Sequence, residues 1–362
     1  MELAGILDII RPRQAEIRLA LRATVAAVLA FALARLLELP QGYWAVITAI
    51  LVMQTSVGAS LKAALDRLGG TLAGAIFGAC ISLLIPHDSQ LGLGVAIALA
   101  MAPMTLLAAM NASFKVAPVT ALIVLLPTAG NIAPPLVYAL DRILEIALGN
   151  IVGMTVALLV LPARAHNLLV GAAANVARLN AELMAALIEG LITGQGRPGL
   201  PALHAKIRAA LKQAETAADE AARERRSHLS DMRDPEPLVR TLYRIRHDLV
   251  MIGRAASKPL ADDLAQPLIP RIADLRDAAI ERLRLLAEGL LSGTPTSPAD
   301  AFDASLRAFV ADIDAIAKQP DWAYAGEDSS RMLTLKFAFE QLAQDLGDLG
   351  KRSDEIAKQS TP

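Results

Sequence analysis

A single cysteine, Cys80, is all that the 362 residues contain, which excludes a disulfide framework and a cysteine-rich metal cluster. An excess of charge is missing too. The 35 Lys and Arg against 36 Asp and Glu leave a net −1, so nothing marks the chain for nucleic acid. Enzyme signatures are absent: no GxxxxGKS/T phosphate loop, no GxGxxG after a strand, no HExxH. The histidines His87, His166, His204, His228 and His247 are scattered rather than spaced as ligands. The reading is not an enzyme, with no cofactor and no metal. Without a nucleotide motif, any uphill work must draw on an ion gradient.

Charge is scarcest in the first half. Residues 1–162 hold 17 charged side chains and residues 163–362 hold 54, while the whole chain is 54% hydrophobic with a mean hydropathy of +0.44, apolar for a soluble protein. The expected division is a transmembrane domain over 1–162 and a cytoplasmic all-helical domain over 163–362, in an all-α fold.

Six apolar runs approach the ~20 residues a helix needs to cross a bilayer core. They cover Arg18 to Leu37, Tyr43 to Val57, Leu68 to Ile85, Leu91 to Met110, Val116 to Leu126 and Asp141 to Leu161. The second and fifth are short. Pro103 and Pro118 predict breaks in the fourth and fifth, tolerable where protein or a cavity satisfies the freed carbonyls. Arg11, Arg13, Lys62, Arg67, Lys115 and Arg164 fall on one side, and the loops at Pro40, Pro86 and Pro134 carry no Lys or Arg. The positive-inside rule then puts both termini in the cytoplasm. Met1 to Ile10, with Leu3, Ile6, Leu7 and Ile10 on one face, reads as an interfacial helix before a retained first span.

Two segments echo each other. Ala64-Leu65-Asp66-Arg67-Leu68 leads to Gly74, Gly78 and Pro86; Ala139-Leu140-Asp141-Arg142-Ile143 leads, 75 residues later, to Gly149, Gly153 and Pro162. Thr48-Ala49-Ile50-Leu51-Val52 is answered by Thr120-Ala121-Leu122-Ile123-Val124. Three spans per copy make an inverted repeat, with a site expected near the repeat interface. The glycine pairs have the small-xxx-small spacing of closely packed helices, their expected role.

Ionisable and amide side chains within apolar spans are functional candidates, because each costs free energy unless it faces a partner or a cavity. Arg67 and Arg142, at the inner and outer ends of their spans, would attract an anion, since guanidinium binds carboxylate in a bidentate fashion. Glu145, at i+3 from Arg142, either pairs with it structurally or carries protons. Gln54 and Asn150 are candidates to orient substrate. Arg22 reads as snorkelling to the inner surface. Tyr43 and Trp44 read as an interfacial aromatic belt and, next to these polar groups, as candidate substrate contacts.

Beyond Pro162 apolar residues recur three and four apart. Leu238, Leu242, Ile245, Leu249 and Ile252 form one stripe, Leu268, Ile272, Leu275, Ala279, Leu283 and Leu286 a second, and Leu335, Phe339, Leu342, Leu346 and Leu349 a third. Helices over Ala165 to Ile192, Leu203 to Ser227 and Ala299 to Lys318 complete a bundle. Breaks are expected at Gly194 to Pro201, Asp231 to Pro237, Lys258 to Asp263 and Gly293 to Pro298. Arg223-Glu224-Arg225-Arg226 reads as a solvated helix end.

Tyr43-Trp44-Ala45, Gln54-Thr55-Ser56-Val57-Gly58-Ala59, and Arg67-Leu68-Gly69-Gly70-Thr71 with Gly74 and Gly78 resemble the fusaric acid resistance and aromatic acid exporter type of membrane protein, itself distantly similar to plant aluminium-activated malate channels. Thr55 stands where that pattern often has proline. The resemblance covers residues 15 to 165; the second half matches only in being helical. It implies an inner-membrane exporter of small organic anions, aromatic carboxylates among them. It also implies a homodimer of six-span units, with leucine stripes in the interface, and a periplasmic adaptor as a possible partner. A proton-driven exporter, a passive anion channel and a membrane-anchored scaffold are the three readings carried forward.

Overall fold

The computed structural model describes residues 14–85, 89–126, 134–194, 199–230, 233–259, 262–296, 298–318 and 326–360. The expected helix at Met1 to Ile10, Arg11, Arg13, Pro86, His87 and parts of the expected breaks lie outside them. Among the described residues every regular element is helical. The chain divides into two compact units, Met1–Arg164 and Ala165–Pro362.

The first unit contains α1 (Gln14–Leu36), α2 (Tyr43–Val52), α3 (Val57–Leu84), α4 (Gln90–Met110), a 3-10 turn (Ala112–Phe114), α5 (Ala117–Leu125) and α6 (Pro135–Leu159). Among the described residues four helices, α1, α3, α4 and α6, are long and apolar enough to cross a membrane; α2 and the Ala112–Leu125 segment are shorter. At 10 residues α2 extends about 15 Å, half of a bilayer core. Six apolar runs thus become four long helices and two short ones.

Local chemistry explains the difference. The second run was expected to reach Val57, but Met53 is extended and ends α2. Ser56, also extended, caps α3 by accepting from the Ala59 amide at 3.0 Å, a favourable N-cap. The break forms with Thr55 in place of proline. The third run starts eleven residues before its expected boundary at Leu68, so Arg67 lies inside α3 and is buried. Neither proline interrupts: α4 runs through Pro103, and Pro118 lies in the first turn of α5, where a missing N–H has no partner to lose.

The glycine pairs seat each long helix on a short one. A Cβ on Gly74 would strike the Ala117 carbonyl and come within 2.8 Å of the Thr120 Cβ, and one on Gly78 would lie 2.7 Å from the Ala121 carbonyl oxygen. On α6, a Cβ on Gly149 would strike the Ala45 carbonyl and come within 2.6 Å of the Thr48 Cβ, while Gly153 faces Ala49. α3 therefore meets α5, and α6 meets α2, at corresponding steps of the two echoed segments. Apart from Leu168, Tyr243, Leu291, Leu333 and Phe337, the large exposed apolar side chains among the described residues all belong to this unit. Such a surface suits lipid rather than water.

The second unit contains α7 (Ala165–Thr193), α8 (Leu200–Arg226), α9 (Glu236–Ala255), α10 (Asp262–Ser292), α11 (Asp300–Ile316) and α12 (Glu327–Ser360). All three apolar stripes are buried together in one core, where Phe309 and Phe339 meet edge to face at 6.0 Å. The stripes are consumed inside the chain, so the expectation that they supply a dimer interface is corrected. The solvated reading of the Arg223–Arg226 end holds for Arg225 and Arg226, which are exposed, but not for Glu224, which is buried and accepts from the Ala165 amide at 3.1 and 3.3 Å. A carboxylate at the positive end of α7 satisfies a donor with no intrahelical partner.

Where α9 packs on α12, Asp248 and Asp345 are both buried and lie within electrostatic reach of each other. Arg244 lies 3.2 Å from Asp345 and donates to Asp348 at 2.7 Å. Burial, followed by the neighbouring Asp345 charge, pushes the Asp248 carboxyl up to about 7.

Candidate functional site

Gly149 brings α6 against α2 at Ala45 and Thr48. One and two turns earlier on α6 the same face carries Glu145 and Arg142, so they arrive beside the chain entering α2. Both are buried, at 4% and 0% exposure, and form an ion pair at 3.2 Å. Gln41 touches both. Its side-chain oxygen accepts from Arg142 Nη2 at 2.6 Å and its backbone N–H donates to Glu145 Oε1 at 2.8 Å. Tyr43 donates its hydroxyl to the same Gln41 oxygen at 3.1 Å. The Arg142 guanidinium lies 4.6 Å from the centre of the Trp44 ring, in cation–π range, and Tyr43 stands 5.5 Å from Trp44.

The cluster extends to α3. Arg67 Nε donates to Thr48 Oγ1 at 2.9 Å, and Asn150 Nδ2 donates to the Ala64 carbonyl at 3.1 Å. Arg67 lies within the electrostatic reach of Arg142. Arg67 and Arg142 are linked through α2, Arg67 by Thr48 and Arg142 by Trp44. Several polar atoms here are buried with no hydrogen-bond partner: Arg142 Nε, Trp44 Nε1, Asn150 Oδ1 and, one turn beyond Arg67, Thr71 Oγ1. A buried donor without an acceptor costs about 1–3 kcal/mol. The site therefore holds unused capacity for a polar ligand.

Six of the seven sequence candidates, Arg67, Arg142, Glu145, Asn150, Tyr43 and Trp44, come together here. Gln54 does not: its side chain donates to the Leu51 carbonyl at 2.9 Å and its amide to Ser60 Oγ at 3.0 Å, tying the α2–α3 junction. Trp44 is a wall of the cluster rather than only a belt residue. Arg22 does not snorkel; it is 1% exposed in α1, with Nε and Nη2 unpartnered. Gln41 and Thr48 were missed as site residues. Gln41 looks like an ordinary loop residue between Pro40 and Gly42. Thr48 stood out only as the start of an echoed segment, a signal of packing rather than chemistry.

A multi-pass helical membrane protein with a buried cationic cluster among its apolar helices is the class these observations define. The chain belongs to the fusaric acid resistance protein family, whose family model matches residues 16–362, and this membership indicates a membrane transport or efflux role. The match runs through the second unit as well, beyond the expected limit near residue 165. No curated protein matches the chain.

Proposed function

We propose that the protein is an inner-membrane transporter that exports small organic anions, aromatic carboxylates in particular, driven by the proton gradient. The observation that carries this reading is the buried Arg142–Glu145 pair, bridged by Gln41 and faced by Trp44. An ion pair inside an apolar unit is expensive to bury and supplies little net stability, so function is the better reason for its presence. Arg142, with Arg67 behind it, supplies the positive charge for a carboxylate. Trp44 and Tyr43 supply flat apolar faces for a ring, and Asn150 and Thr71 supply polar atoms to orient it. Glu145 is the group that exchanges its Arg142 partner for a proton when the carboxylate takes the arginine.

The matching seats of the two glycine pairs support an inverted repeat of two three-helix halves. Glu145 has no counterpart in the first copy, where Gly70 holds the corresponding place and packs against Ser113 and Ala117. The shared glycines are then scaffold, the shared arginines supply the charge, and the unshared carboxyl adds the proton-carrying group. Cytoplasmic termini, a homodimer and an adaptor partner belong to the same proposal.

The test is uptake of labelled hydroxybenzoate into proteoliposomes with and without an imposed pH gradient. Accumulation above equilibrium that needs the gradient, Arg142 and Glu145 is expected. If Glu145→Gln leaves uphill accumulation intact, the proton assignment fails; mere equilibration identifies a passive channel. No flux with a panel of organic anions identifies a scaffold.

A further inference from the structure

Gln41 occupies Arg142 in the manner expected of a ligand. Its amide oxygen accepts from Arg142 Nη2 at 2.6 Å and from the Tyr43 hydroxyl at 3.1 Å, the two donors that one oxygen of a bound carboxylate would use. Its backbone N–H is held separately by Glu145 at 2.8 Å. The next residue, Gly42, packs so closely on α1 that a Cβ there would lie 2.7 Å from the Ala34 Cβ. The amide is thus tethered beside the guanidinium at high effective concentration. While it stays, Arg142 cannot present a free fork to an anion.

We infer that Gln41 is an internal occupant of the anion site, a stand-in whose amide oxygen must leave Arg142 and Tyr43 before a substrate carboxylate can bind. This rests on the reading of Arg142 as the anion contact. A charged carboxylate outbids a neutral amide for guanidinium, so substrate displaces Gln41 and the amide returns when substrate leaves. Displacement removes a tie between the α1–α2 connection and α6, while the backbone tie to Glu145 remains. The same residue therefore sets apparent affinity and registers occupancy.

The experiment compares KM for labelled hydroxybenzoate in proteoliposomes holding the full chain with Gln41→Ala, Gln41→Glu or Arg142→Ala. Gln41→Ala removes the competitor but keeps the backbone donor, and is expected to lower KM about tenfold, the size of one charge-assisted hydrogen bond. Gln41→Glu tethers a carboxylate to Arg142 and is expected to raise KM at least as much or abolish saturable uptake. If Arg142→Ala abolishes uptake while Gln41→Ala leaves KM unchanged or raises it, the internal occupant is overturned and the transport reading stands. If Arg142→Ala changes nothing, the transport reading falls and this inference with it. Should Gln41→Ala fail to fold, Gln41→Glu, which keeps size and reach, decides alone: an unchanged KM overturns the inference.

Discussion

Arg142 and Glu145 are each other's counter-charge inside an apolar unit, so removing one leaves the other uncompensated. Arg142→Ala is expected to destabilise the folded protein by about 3–5 kcal/mol, read as a lower unfolding midpoint in detergent. Arg142→Met combined with Glu145→Leu replaces both charges with apolar groups and is expected to recover most of that loss while leaving no anion transport. A double variant that still transports would remove the pair from the mechanism. In the second unit, the Asp248 carboxyl stands at about 7 when folded, against an ordinary value of about 3.9 unfolded. The folded state therefore binds the extra proton between these values. This group's contribution to stability is fully present below about pH 4, falls as pH rises toward 7, and is lost above it. Asp345 shifts upward as well and shares the proton, so the pair titrates together. Asp248→Asn is expected to flatten this slope and raise the unfolding midpoint near neutral pH.

At the scale of elements, helix seating rather than helix propensity governs the first unit. Gly149→Ala drives a Cβ into the Ala45 carbonyl and is expected to cost about 1–3 kcal/mol. It should also weaken anion binding, because α6 can no longer bring Arg142 to Gln41. Gly69→Ala is the matched control. Its added Cβ meets nothing within 4 Å, so helix propensity should make it stabilising by up to about 1 kcal/mol. Equal effects of the two, measured by thermal unfolding, would show that close seating is unimportant. In the second unit, Glu224→Ala removes the acceptor for the Ala165 amide and is expected to cost about 1–2 kcal/mol, read from the same midpoint. Most helix limits were legible because apolar periodicity and Pro or Gly punctuation are local. The second and third runs were misjudged because Met53 and Ser56 end and restart helices inside an apolar stretch, which hydropathy does not register.

On the scale of the whole molecule, the two units reflect two solvents. The first presents large apolar side chains outward, and the second turns its stripes inward to one core. Residues 165–362 expressed alone are expected to give a soluble helical protein that unfolds cooperatively by circular dichroism. Aggregation of that piece would mean that its core is incomplete. The family match over residues 16–362 shows that the two units are kept as one chain.

Composition, charge asymmetry and periodicity by themselves determined the all-helical class, the apolar first half, the glycine packing pairs and the suspicion attached to Arg142 and Glu145. Each of these is a property of a residue or of its near neighbours along the chain. Only the tertiary structure decided that Gln41, 101 residues from Arg142, is the partner on its guanidinium. It alone linked Arg67 and Arg142 through α2, buried Arg22, and turned Glu224 from a solvated charge into a cap. These follow from which helix faces seat against each other. That choice is made by backbone approach at a few glycines, and no local pattern of hydropathy encodes which chain segment fills the space.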